Sequence, residues 1–142
     1  MLRFGCVILV DRRGWLLLQE RDEHPAIDPE KWSLCGGHLE EGEEYAEGAS
    51  RELAEETGVQ LAPHELELFC ELDLRPFGRD SHDVMAVYAA ATELTDDDIV
   101  LGEGRQIVFV EPGAARCLDL SPSAAAVVPD FLDSDHYRRL CR

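Results

Sequence analysis

The chain reads as an α/β fold with a mixed β-sheet between helices, and three observations carry that reading. Strand-like and helix-like segments alternate as strand, strand, strand, helix, several strands, helix, an order that suits a sheet covered on both faces. Phe4 to Val10 (FGCVILV) is an unbroken apolar, β-branched run of the kind that forms buried strands. Gly36 to Val59 (GGHLEEGEEYAEGASRELAEETGV) reads as a glycine loop, a helix and a glycine stop.

The first strand, Phe4 to Val10, is followed by Asp11-Arg12-Arg13-Gly14, which is turn chemistry, and by a second strand from Trp15 to about Arg21. Asp22 to Lys31 holds Pro25, Asp28 and Pro29 and reads as a surface loop. Trp32 to Cys35 is a short apolar segment, a buried core strand, feeding Gly36-Gly37; His38 to Glu43 is loop. The helix is expected over Glu44 to Thr57, with Gly58 as its stop, an apolar stripe of Ala46, Ala49 and Leu53, and a Glu47–Arg51 pair at i, i+4. Leu66 to Leu74 alternates apolar and acidic residues like a half-buried strand, and Val84 to Ala91 and Ile107 to Val110 are further strands. Thr92 to Leu101 is an acidic loop. A helical turn is expected over Pro112 to Cys117, and a second helix over Ser121 to Leu132, interrupted or ended near Pro129. Asp133 to Arg142 is a charged tail with no clear element.

At 142 residues the chain has the length of one domain with a real core. Its net charge of −17 excludes a basic nucleic-acid footprint and opposes adhesion to an anionic membrane. No apolar run approaches the ~20 residues of a membrane span, and a strand-like segment so near Met1 leaves no room for a leader, so a cytoplasmic protein is expected. The five cysteines are scattered and lack C-x-x-C spacing, which points to free thiols rather than a zinc site. There is no G-x-x-x-x-G-K-[ST], complete G-x-G-x-x-G or G-x-S-x-G.

The chemistry concentrates in the central helix. Glu52 and Glu56 are separated by roughly 40° around the axis and Glu55 lies about 60° to the other side, so three carboxylates crowd one arc of about 100°. A solvated acidic face is the ordinary explanation of such a run. Like charges at that spacing repel, however, and a hard divalent cation with oxygen ligands would neutralise them.

Context decides in favour of the metal. Gly37, Glu43, Arg51, Glu52, Leu53, Glu55, Glu56, Gly58 and Val59 fall where the signature of the Nudix hydrolases requires them, and the stretch resembles that signature throughout. With each named residue used at roughly 5–7%, a chance match at one start point is on the order of one in a billion. The resemblance implies an α/β/α sandwich with the signature helix packed on the sheet. It also implies a hydrolase that cleaves the pyrophosphate linkage of a small nucleoside diphosphate derivative with Mg²⁺ or Mn²⁺. By position it implies Glu52, Glu56 and Glu55 as metal ligands with the Gly37 backbone. Arg51 either touches phosphate or, as the family pattern implies, clamps the loop to the helix through Glu43. The general base is Glu103, on a loop before a late strand, or Glu55. Arg21 and His38 are candidate substrate contacts, His38 being equally readable as an exposed loop residue. Cys35 stands where the family usually has proline, and no partner histidine marks it as a nucleophile.

Substrate is less legible. The most natural reading is a MutT-like pyrophosphohydrolase of a (d)NTP or modified nucleotide. A nucleotide-sugar or ADP-ribose pyrophosphatase is the alternative within the class, and a non-enzymatic nucleotide sensor the alternative outside it. The expected partner is a small-molecule nucleotide, with neither nucleic acid nor membrane; a homodimer is left open.

Overall fold

Two strands that begin as a hairpin and then part set the plan of the molecule. The computed structural model describes residues 1–24, 30–77, 82–102 and 104–142. Strand β1 (Arg3–Val10) turns through Asp11 to Gly14 into β2 (Leu16–Glu20). The Asp11 carboxylate closes the turn by accepting the N–H groups of Arg13 at 2.8 Å and Trp15 at 3.0 Å. The two strands pair at Val10 and Leu16 and then diverge. Into the fork run β3 (Trp32–Ser33), antiparallel to β2, and β4 (Cys35–His38), antiparallel to β1. Since β1 and β2 are themselves antiparallel, the chain must change direction between them, and it does so at Leu34.

On its other edge β1 pairs along its whole length with β6 (Val84–Ala91) in parallel, and β5 (Glu67–Asp73) lies antiparallel to β6. Strand β7 (Gln106–Val110) covers the outer edge of β2. Alternation along β1 then builds two cores. Cys6, Ile8 and Val10 face Val127, Val128 and Phe131 of α3 (Pro122–Leu132), beside α2 (Pro112–Cys117). Val7 and Leu9 face Ala49 and Leu53 of α1 (Tyr45–Thr57). The result is the mixed α/β arrangement with helices on both faces. No helix among the described residues is long and apolar enough to cross a membrane.

Four details depart from the sequence reading. A register shift between Leu68 and Cys70 moves the even-numbered positions from one core to the other: Leu66, just before β5, packs on the α1 side, Cys70 and Leu72 on the α3 side, and Leu68 is left 47% exposed. Helix α3 neither stops nor breaks at Pro129. The missing donor and ring clash cost about 3 kcal/mol, but Phe131 and Leu132 beyond it are buried and return roughly 1.5–3 kcal/mol each. The tail forms α4 (Asp135–Leu140), capped by the Ser134 hydroxyl and tied to the first hairpin by Tyr137 Oη donating to Gly14 O at 2.6 Å. Trp32 is half-buried rather than core, packed against the α3-side cluster.

Candidate active site

Helix α1 is fixed at both ends before any chemistry is added to it. Glu47 turns back to accept the Glu44 N–H at 3.0 Å, so it closes the first turn instead of pairing with Arg51. At the other end Gly58 takes the left-handed conformation (φ 76°) that ends helices cleanly, and its N–H reaches Ala54 O at 2.9 Å. The last carbonyls are taken by a distant loop: Gly102 N–H donates to Glu56 O at 2.8 Å and Val100 N–H to Thr57 O at 2.9 Å. Buried Ala49 and Leu53 seat the opposite face on the sheet.

The acidic face looks into the fork between β1 and β2. A Cβ placed on Gly37 would lie 2.8 Å from the Glu52 carboxyl carbon, so this carboxylate rests directly on the Gly37 backbone and a larger residue there would push it away. Glu56 is 6% exposed, and its Oε1 accepts the Gly36 N–H at 2.7 Å. A charge-assisted bond of that length offsets part of the cost of burying the carboxylate. Glu55 lies on the other side of the arc, its side chain 58% exposed.

Arg51 ties loop and helix together. Its guanidinium meets Glu43 with two parallel bonds, Nε to Oε2 at 2.9 Å and Nη2 to Oε1 at 3.1 Å, and Nη2 also donates to His38 O at 2.9 Å. Its Nη1 reaches Glu52 at 3.2 Å and Glu55 at 3.1 Å. The planar donor fork is what a bidentate carboxylate needs. These bonds, with the Glu40 N–H, hold the Glu43 carboxyl below the usual carboxylate range, and Glu43 in turn raises Arg51 further above its already high value.

Beside the carboxylates opens a cavity of about 620 Å³. Gly36, Gly37, Glu52 and Glu56 form one wall; Phe4, Leu74, Phe77 and Met85 form an apolar wall; Gln19, Arg21, Ser33 and the start of α3 form a polar one. Cys6 also borders the cavity, and Cys35 is buried in the α1-side core; burial, then the nearby Glu56, pushes both thiols up, so neither is a thiolate nucleophile.

Of the residues singled out from the sequence, Gly37, Glu52, Glu56, Arg21 and His38 meet at this cavity. His38 is exposed and lies against Phe4, with ring centroids 4.8 Å apart. Arg51 and Glu55 are outside the lining, joined to it through the Arg51 network. Glu103 lies outside the described residues. The sequence points to Arg75 to Asp83 as a source of specificity, and Phe77 from that stretch lines the cavity; Ser33 and the first turn of α3 belong to no motif and were missed, since their meeting depends on the fold.

Among the described residues no three His, Cys, Asp or Glu side chains are gathered as a ready-made metal cage. Two carboxylates beside a backbone cradle nevertheless suit Mg²⁺, which binds through one or two carboxylates, waters and substrate phosphates rather than a full protein shell.

Comparison with known proteins identifies the family and the fold. The family model for the NUDIX domain matches residues 1–131. Dihydroneopterin triphosphate diphosphatase of Escherichia coli K12 is 34% identical over 124 residues, which cover 85% of this chain and 78% of that protein. Among solved structures, the NUDIX domain of Shewanella oneidensis NrtR, complexed with ADP ribose, superposes with a TM-score of 0.78 at 18% identity over 94% of this chain and 87% of its own. The MutT protein of Methanosarcina mazei Go1 gives 0.70 at 21% identity over 98% and 91%. At those identities the structural likeness speaks for the fold.

Proposed function

The chain belongs to the NUDIX family of pyrophosphohydrolases, and on that premise we propose that it is a Mg²⁺- or Mn²⁺-dependent enzyme that splits heterocyclic nucleoside triphosphates into a monophosphate and pyrophosphate. The observation that carries this reading is the wall of Glu52 and Glu56 set against the Gly36–Gly37 backbone at the rim of a cavity large enough for a nucleotide. Canonical and modified (d)NTPs and dihydroneopterin triphosphate, the substrate in the name of the E. coli relative, share one outline: a flat nitrogen heterocycle linked to a triphosphate, with a ring carbonyl in all but the adenine nucleotides.

Glu52, Glu56 and the Gly37 backbone would hold the ion, with Glu55 as a further ligand through water. A bound divalent ion neutralises the pyrophosphate charge and lowers the pKa of water. Arg51 keeps the loop and the acidic face in register, Arg21 and His38 contact the substrate, and Glu103 accepts the proton of the attacking water, with Glu55 the alternative base. Support for Glu103 comes from its neighbours. Gly102 is bonded to the end of α1, and Gly104 packs so tightly on β2 that a Cβ there would lie 2.8 Å from Gln19 Nε2.

A substrate panel tests the reading: dNTPs, 8-oxo-dGTP, dihydroneopterin triphosphate, ADP-ribose and a nucleotide sugar, each with Mg²⁺ or Mn²⁺ and with products identified. Triphosphates are expected to yield pyrophosphate. Cleavage confined to ADP-ribose or the nucleotide sugar replaces the triphosphate reading with its alternative. Tight nucleotide binding without cleavage of any member points to a sensor.

A further inference from the structure

The cavity wall facing the apolar residues contains two buried polar atoms that have no hydrogen-bond partner among the described residues. Ser33, 8% exposed and opposite Gln19 across the β2–β3 ladder, has a buried Oγ with no hydrogen bond; Arg21, just past the end of β2, has a buried Nε in the same condition. Folded proteins rarely leave such atoms unpaired, and here both residues border one cavity, Ser33 from β3 and Arg21 from just past β2. The first turn of α3 adds to the same wall. The Ser121 N–H is taken by Trp32 O at 2.8 Å and Pro122 has none, but the N–H groups of Ser123 and Ala124 have no acceptor within the helix. The wall is therefore rich in donors and faces a surface of Phe4, Phe77 and Met85 suited to a flat ring.

We infer that Ser33, with Arg21 and the first turn of α3, recognises the acceptor edge of an oxo-substituted heterocycle seated against Phe4 and Phe77. This rests on the reading that the cavity takes a heterocyclic nucleotide. A rotation about the Ser33 Cα–Cβ bond moves its hydroxyl between staggered positions without disturbing β3, so a ring carbonyl can be met by the side chain alone. A site built to bond a carbonyl discriminates against an analogue lacking it, because the buried donor is then left unpaired.

The test is equilibrium binding without metal, by calorimetry, of GMP and of 2-aminopurine ribonucleoside monophosphate, which lacks the 6-carbonyl but keeps the sugar and phosphate. Wild type is expected to bind GMP about tenfold more tightly. In Ser33→Ala the difference falls to about threefold or less, while the melting temperature is unchanged or raised, because an unpaired buried hydroxyl has been removed. Arg21→Lys, which loses the Nε donor but keeps the charge, narrows the difference in the same direction. The inference is overturned if wild type binds the two ligands equally, as it would if Arg21 read phosphate alone, or if it binds neither. It is also overturned if Ser33→Ala keeps the tenfold preference, or if it loses stability as a structural hydroxyl would. Hydrolysis is scored separately, so a protein that prefers GMP yet cleaves no triphosphate contradicts the proposed reaction and leaves the ring subsite standing.

Discussion

The two polar walls of the cavity are built in opposite ways. The carboxylate wall is over-determined: Glu52 is pressed on Gly37, Glu56 is bonded to Gly36, and Arg51 joins Glu43, Glu52, Glu55 and the His38 carbonyl in one network. The wall of Arg21, Ser33 and α3 is under-satisfied, with two buried polar atoms lacking partners among the described residues. Groups that must hold fixed charge are locked before substrate arrives, whereas groups that recognise a ligand are left for the ligand to complete. Mutations on the two walls should therefore fail differently, the first in turnover and the second in affinity.

The largest effect is expected from Glu52→Gln, which keeps the shape against Gly37 and removes the charge. Turnover with Mg²⁺ should fall by at least about 100-fold with little change in melting temperature. Glu103→Gln should lower kcat by at least about tenfold while leaving the fold intact; near-normal turnover removes Glu103 as the base. On the recognition side, Phe77→Ala should raise KM by about tenfold with kcat nearly constant, and a matched loss in kcat would place Phe77 with the reacting groups instead.

Arg51→Met sharpens the comparison through stability. It leaves Glu43 without its fork and three carboxylates without their shared cation, at a cost of about 2 kcal/mol, or about 5 °C in thermal melting. The smallest effect is on pH dependence. Because Arg51 holds the Glu43 carboxyl lower in the folded than in the unfolded chain, its contribution is complete above the unfolded carboxylate value and is lost as pH falls through the depressed folded value. Melting followed from neutral pH into the acid range should fall more steeply in wild type than in Arg51→Met.

The same contrast explains what the sequence made legible. The carboxylate wall lies within Gly36 to Val59, where loop, helix and stop are neighbours in the chain and helical spacing alone gathers the glutamates. Arg51's partnership with Glu43 was readable for that reason, although Glu47 pairs with the Glu44 backbone rather than with Arg51. The other polar wall unites Arg21, Ser33 and Ser123 from three segments, and no local pattern marks a serine in Trp32 to Cys35 as a contact. Strand positions were legible from apolar runs, but the fork between β1 and β2 and the bulge at Leu68 arise from long-range pairing. Helix α4 escaped notice because it is docked by the Ser134 cap and by His136, Tyr137 and Leu140 against the α3-side core, contacts that no apolar run in the charged tail announces.

The most direct measurement is the product analysis of a deoxynucleoside triphosphate incubated with Mg²⁺ and either wild type or Glu56→Gln. The glutamine keeps an oxygen for the Gly36 N–H, so the fold is retained while the charge is lost. Wild type should release pyrophosphate and the monophosphate, and Glu56→Gln should release neither at a comparable rate. Equal turnover by the two proteins would contradict the assignment of this wall to the reaction.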